Sequence, residues 1–160
     1  LGNKNTFLSI LLIGLGFYFL LKQIYIPVLS NFYSWPTILM IIGIAFLVNA
    51  YAGGVKQNVF PGAVLLGFGI HFHGVQHYAF WMDHWGVYLF ILGIAFLLKY
   101  QMTRKGLWVG LILVVLSIFA LFSSVKPQWF IWMERSFHFI EHFWPAVLII
   151  IGFYLLFKRS

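Results

Sequence analysis

The 160-residue chain contains no cysteine, only three acidic residues (Asp83, Glu134 and Glu141), and 8% charged residues in all. Each shortage excludes something. Without cysteine there is no disulfide framework and no thiolate metal site. A soluble domain carries roughly a quarter of its residues as charges, so a chain at 8%, with 62% hydrophobic residues, is made for a solvent other than water. The formal charge of +7 comes from basic residues scattered over loops without a nucleic-acid motif. Membrane topology and attraction to anionic lipid account for them, which argues against nucleic acid as a partner.

What is abundant is uncharged apolar sequence. Six stretches lack Asp, Glu, Lys and Arg: Thr6 to Leu21, Trp35 to Tyr51, Val59 to Ile70, Trp85 to Leu98, Gly106 to Val125 and Phe143 to Phe157. Each approaches the ~20 residues that cross a hydrocarbon core, and flanking aromatic or snorkelling residues extend it. The expected fold is an all-α membrane protein with six transmembrane helices. A closed barrel alternates polar and apolar residues along each strand, whereas Val147-Leu148-Ile149-Ile150-Ile151 is apolar throughout. The first stretch, with Lys4 before it, lacks a small-residue cleavage site and reads as an anchor, not a signal peptide.

The helices repeat. WPTILMIIGIAFLVN from Trp35, WGVYLFILGIAFLLK from Trp85 and WPAVLIIIGFYLLFK from Trp144 each place a Trp eight residues before a Gly, at Gly43, Gly93 and Gly152. Odd-numbered helices match less closely: ILLIGLGFYFLLKQ and AVLLGFGIHFHGVQ share Gly-x-Gly, while GLWVGLILVVLSIF keeps only the first glycine. The expected unit is a helical hairpin present three times, at about 6–51, 59–99 and 106–158 of a single integral domain 1–160. Pro36 and Pro145 fall in a first helical turn, where a missing N–H costs nothing, and the Trp before each suits the membrane interface. Gly43, Gly93 and Gly152, together with the small-residue pairs Gly106/Gly110 and Ala63/Gly67, suit close helix packing in lipid. Gly14-x-Gly16 and Gly67-x-Gly69 lie inside apolar helices with no preceding strand, so they are not nucleotide fingerprints.

Basic residues set the expected orientation. Lys4, Lys56, Lys99, Arg104, Lys105, Lys158 and Arg159 fall on one side of the six-helix topology, and Lys22, Lys126 and Arg135 on the other. Short loops rich in Lys and Arg stay in the cytoplasm, which places both termini on the cytoplasmic side. All three acids, all six histidines and every tryptophan except Trp108 then gather at the outer side.

The hairpin pattern resembles the LiaI/LiaF-like transmembrane region of bacterial cell-envelope stress proteins. The resemblance is carried by TFLSILLIGLGFYFLL at 6–21, SWPTILMIIGIAFLV at 34–48 and FWPAVLIIIGFYLLF at 143–157. Trp85-Gly86 departs from the Trp-Pro pattern, and the third odd-numbered helix departs further. The resemblance implies a membrane-embedded regulatory or scaffolding role among envelope-stress membrane proteins, and it supplies no catalytic residues.

The outer histidines are the candidate site. His138-Phe139-Ile140-Glu141-His142 has the H-x-x-E-H spacing of an inverted zinc-protease helix, but no third ligand or substrate cleft accompanies it, so the chain is read as no enzyme. On a helix His73 and His77 share a face, as do His138 and His142, with Glu134 a turn earlier. Convergence of His73, His77, His138 and His142 with Glu134 and Glu141 would suit zinc or another divalent transition metal. His71, His84, Asp83, Trp129 and Trp132 would line an outer pocket or interface. The blander reading makes 128–143 an amphipathic helix lying on the outer leaflet. Protonation of the six histidines in mild acid would alter the outer loops in a third reading. The alternative function is a binding or transport protein taking a metal ion or lipid headgroup. Against transport, no charged residue lies mid-membrane and no broken helix is evident.

Overall fold

The computed structural model describes residues 3–24, 26–123, 127–128, 130–132 and 135–136. It divides into two compact units, Leu1–Phe122 and Ser123–Ser160. The first holds five helices: α1 (Asn3–Ile24), α2 (Trp35–Tyr51), α3 (Val59–His77), α4 (Trp85–Thr103) and α5 (Leu107–Leu121). Short 3-10 turns at Pro27–Phe32 and Lys56–Asn58 join α1 to α2 and α2 to α3. No strand occurs among the described residues. In the second unit Gln128, Phe130–Trp132 and Arg135–Ser136 are helical, and Phe130 is buried while Trp132 is exposed.

Local chemistry sets the helix ends. Pro27 pushes Ile26 out of the helical region, to φ −84° and ψ 113°, beyond the end of α1. Pro36 and Pro61 both lie in first turns, where backbone N–H groups have no intrahelical acceptor. Helix α2 ends before Gly53-Gly54, the second of which takes φ +74°. Arg104 closes α4 in the left-handed conformation at φ 59°, its guanidinium 5.8 Å from the Tyr100 ring.

Neighbouring helices run antiparallel, as their contacts show. Phe7 meets Phe46 and Gly14 faces Ile41 across α1 and α2, while Phe68 meets Tyr88 and Phe60 meets Phe96 across α3 and α4. The closest approaches lie across α2/α3 and α4/α5. A Cβ on Gly43 would sit 2.5 Å from the Leu66 amide nitrogen and 2.9 Å from the Gly62 carbonyl oxygen, and Gly69 meets the Met40 and Pro36 backbones in the same way. Across α4/α5 a Cβ on Gly93 would lie 3.0 Å from the Val114 nitrogen and 3.2 Å from the Gly110 oxygen. The two seams are alike, with Ala45 and Ala95, two residues after each central glycine, both 0% exposed. The sequence repeat pairs α1 with α2 and α3 with α4; the tightest seams fall one helix later, because the glycines of the even-numbered helices face the helix that follows. Gly62 and Gly69 complete the first seam, whereas Gly67, half of the small-residue pair read from sequence, faces Ile91 of α4.

The outside of the unit is apolar. Ile13, Phe17, Trp108, Phe119 and Phe122 are all more than 60% exposed, a surface unsuited to water and suited to lipid. Among the described residues, three helical segments are long and apolar enough to cross a membrane: Thr6–Ile24, Lys56–His77 and Trp85–Thr103; α2 and α5 are apolar but shorter, at 17 and 15 residues. Helix α3 runs seven residues past the apolar stretch ending at Ile70, carrying His71, His73 and His77 on helical backbone.

Candidate functional site at the histidine end of the bundle

The antiparallel order segregates side-chain chemistry. Lys4, Lys56, Lys99, Arg104 and Lys105 lie at one end of the first unit, with the Lys99 ammonium 5.4 Å from both the Phe60 and Phe96 ring centres. His71, His73, His77, Asp83 and His84 lie at the other, with Trp35, Trp81, Trp85 and Lys22.

His71 and His73 are two residues apart on α3, so they point to different sides of it. His71 is 1% exposed and turns toward α4, edge-on to the Tyr88 ring at 5.1 Å. The Trp81 indole N–H donates to His71 Nδ1 at 3.1 Å. Since an indole nitrogen only donates, Nδ1 is an acceptor and the neutral ring holds its proton on Nε2. That nitrogen is buried and has no partner among the described residues. The Trp81 indole lies over Gly74, where a Cβ would run into its ring atoms, so the loop after α3 folds back only because that position is glycine.

His73 is sandwiched. Phe32, from the first 3-10 turn, stacks on one side at 4.7 Å and 21°, and His77 on the other at 4.5 Å and 28°. His73 is 6% exposed, and neither ring nitrogen has a partner among the described residues. His77 is half-buried and its Nδ1 lies 3.0 Å from the His73 carbonyl oxygen. A carbonyl only accepts, so Nδ1 of His77 donates and Nε2 carries the lone pair of the neutral ring.

His84 serves the backbone instead. Its Nδ1 accepts the Gly86 N–H at 3.1 Å, capping α4. This explains a departure within the repeat: the first copy has Pro36, with no N–H to cap, and Ser34 before it makes no side-chain cap. Glycine at 86 also lets α5 approach, since a Cβ there would lie 3.0 Å from Ala120 Cβ. Asp83 is exposed beside this cap.

Of the metal set read from sequence, the structure brings His73 and His77 together. His138, His142, Glu134 and Glu141 lie outside the described residues, as do Trp129 and Gly152 and most of the 128–143 helix. Among the described residues no three His, Cys, Asp or Glu side chains are grouped to hold a metal ion. Phe32, Trp81, Tyr88 and Gly74 are the site residues that sequence reading missed. The available signal was a tryptophan and a glycine within ten residues of two histidines, at a helix end that must fold back to reach the next helix.

The helices, their apolar exterior and the end-to-end charge segregation define an integral membrane protein of the all-helical class. Residues 6–47, spanning α1 and most of α2, match the family model of the LiaI-LiaF-like transmembrane region. Over 153 residues, 96% of this chain and 93% of the relative, the sequence is 27% identical to the uncharacterized membrane protein YsxD of Bacillus subtilis (strain 168). No solved structure matches the chain.

Proposed function

We propose that this chain is a six-span, non-enzymatic membrane module of a bacterial plasma membrane that regulates or scaffolds other membrane proteins in the cell-envelope stress response. The observation that carries the proposal is the match of residues 6–47 to the LiaI-LiaF-like transmembrane region. The three-fold repeat and antiparallel order support six crossings: five helices alternate in direction, and the charge-free run 143–157 supplies a sixth apolar stretch. Helix α5, at 15 residues, is about 22 Å long, so it crosses only with its flanking residues in the bilayer or with local thinning. The concentration of basic residues at one end of the first unit supports placing that end and both termini in the cytoplasm.

In this reading the histidine end faces outward, and the chain acts through helix contacts with partner membrane proteins. Deleting the gene from its native host and challenging the cells with a cell-wall antibiotic tests it, alongside crosslinking and copurification from native membranes. The expected result is an altered stress-promoter response together with recovery of a membrane protein of the stress system. An unchanged response with no membrane partner recovered overturns it.

A further inference from the structure

We propose that His73 and His77 form an exchangeable binding site for a divalent transition metal ion, of which Zn2+ is the reference case. Two histidines one helical turn apart present both rings on the same face, and here the rings lie nearly parallel with centres 4.5 Å apart. Two Zn–N bonds of about 2.1 Å at a tetrahedral angle need nitrogens about 3.4 Å apart. Reaching that requires both rings to turn out of the stack, so that their in-plane lone pairs converge on one point.

Three further features point to an ion. The His77 Nδ1 contact with the His73 carbonyl fixes that ring with Nε2 as the free lone pair, the backbone hydrogen bond that commonly orients a metal-bound imidazole. His73 is more than nine-tenths buried, with both ring nitrogens lacking a partner among the described residues. A buried polar group in that condition has given up its water without a replacement bond, and a metal bond supplies one. Finally, Phe32 stacks on the His73 ring at 4.7 Å, which limits the orientations open to this donor.

Two imidazoles are fewer than the four ligands of a closed structural zinc site. The remaining positions go to water or to oxygen ligands, making the site exchangeable and of modest affinity. Imidazole donors favour Zn2+, Ni2+ and Cu2+, with Cu2+ the tightest, over Mg2+ and Ca2+. The inference is independent of the envelope-stress reading, since it concerns what α3 binds and not what the chain regulates.

The experiment is equilibrium dialysis of the full chain in detergent micelles against Zn2+ alone, with metal quantified in the retentate. One saturable Zn2+ per chain is expected, with His77→Gln and His73→Gln each weakening binding by at least about tenfold, the lower bound for losing even a group that merely orients a ligand. His77 is half-buried, so its variant tests the site without emptying the interior, and an unchanged thermal transition verifies its fold. Imidazole 15N spectra provide a second readout, in which Zn2+ moves the His73 and His77 signals and leaves His71 Nδ1 in place. No saturable Zn2+, or Zn2+ binding undiminished in both variants, overturns the proposal.

Discussion

Replacing Gly43 by alanine adds one methyl group to α2 where α3 leaves no room. The new Cβ would lie 2.5 Å from the Leu66 nitrogen, 2.9 Å from the Leu66 Cα and 2.9 Å from the Gly62 oxygen, all backbone atoms of α3. Ordinary contact needs about 3.4 Å, so the helices must part by about 0.9 Å at that point. A side chain could swing aside, but a helix backbone moves as a unit and opens the seam on both sides. Overpacking of this severity costs about 3 kcal/mol, against which alanine recovers about 1 kcal/mol of helix propensity, leaving a net loss of about 2 kcal/mol. Gly16 is the internal control: a Cβ there meets nothing within 4 Å, so Gly16→Ala gains up to about 1 kcal/mol. The two variants receive the same chemical change and should separate by about 3 kcal/mol in opposite directions from wild type. Equilibrium unfolding in mixed detergent micelles, followed by tryptophan fluorescence, measures this. Equal stability of Gly43→Ala and Gly16→Ala would refute the reasoning.

The seam copy should respond more gently: Gly93→Ala meets backbone at 3.0 Å and 3.2 Å, and should fall between the two variants above in the same assay. Trp81→Phe removes the donor to a buried His71 nitrogen, and a loss of about 1–3 kcal/mol in unfolding free energy is expected. A double-mutant cycle with His71→Phe should return a coupling of at least about 0.5 kcal/mol, and additivity would show that the bond carries nothing. Tyr33→Phe deletes a hydroxyl that accepts from the Ile26 N–H at 3.2 Å and donates to the Leu21 carbonyl at 2.9 Å. Faster amide exchange at Ile26 should follow, with helix cores unaffected. His84→Ala uncaps α4 and should cost about 0.5–2 kcal/mol, with exchange accelerating at Gly86 before Gly93.

The sequence made the five described helices legible, while the sixth expected stretch, 143–157, lies outside the described residues; lipid-facing helices need long uncharged apolar runs, and those are visible without any tertiary information. Close packing at Gly43 and Gly93, each eight residues after a Trp, was legible too. Which helix those glycines face was not, since Gly43 is flanked by apolar residues on every side and periodicity gives no direction in a helix that is apolar all round. At the site, His73 and His77 could be paired from their spacing of four. The opposite fates of His71 and His73 could not, because they depend on Trp81 folding back over Gly74 and on Phe32 arriving from a turn some forty residues earlier. The cap that His84 makes on α4 was not legible either, because it shows only once Gly86 is recognised as the counterpart of Pro36.

Because the chain has no cysteine, single cysteines can be introduced without background and their sidedness read in intact cells with a membrane-impermeant thiol reagent. Ser30→Cys, between α1 and α2, and Ala79→Cys, between α3 and α4, should label from outside. Gln57→Cys and Lys105→Cys, in the intervening connections, should label only after the cells are opened. That alternation, with the Ala79 position outside beside the histidines, is the predicted result; labelling of Gln57→Cys and Ala79→Cys from the same side would contradict the membrane architecture on which the account rests.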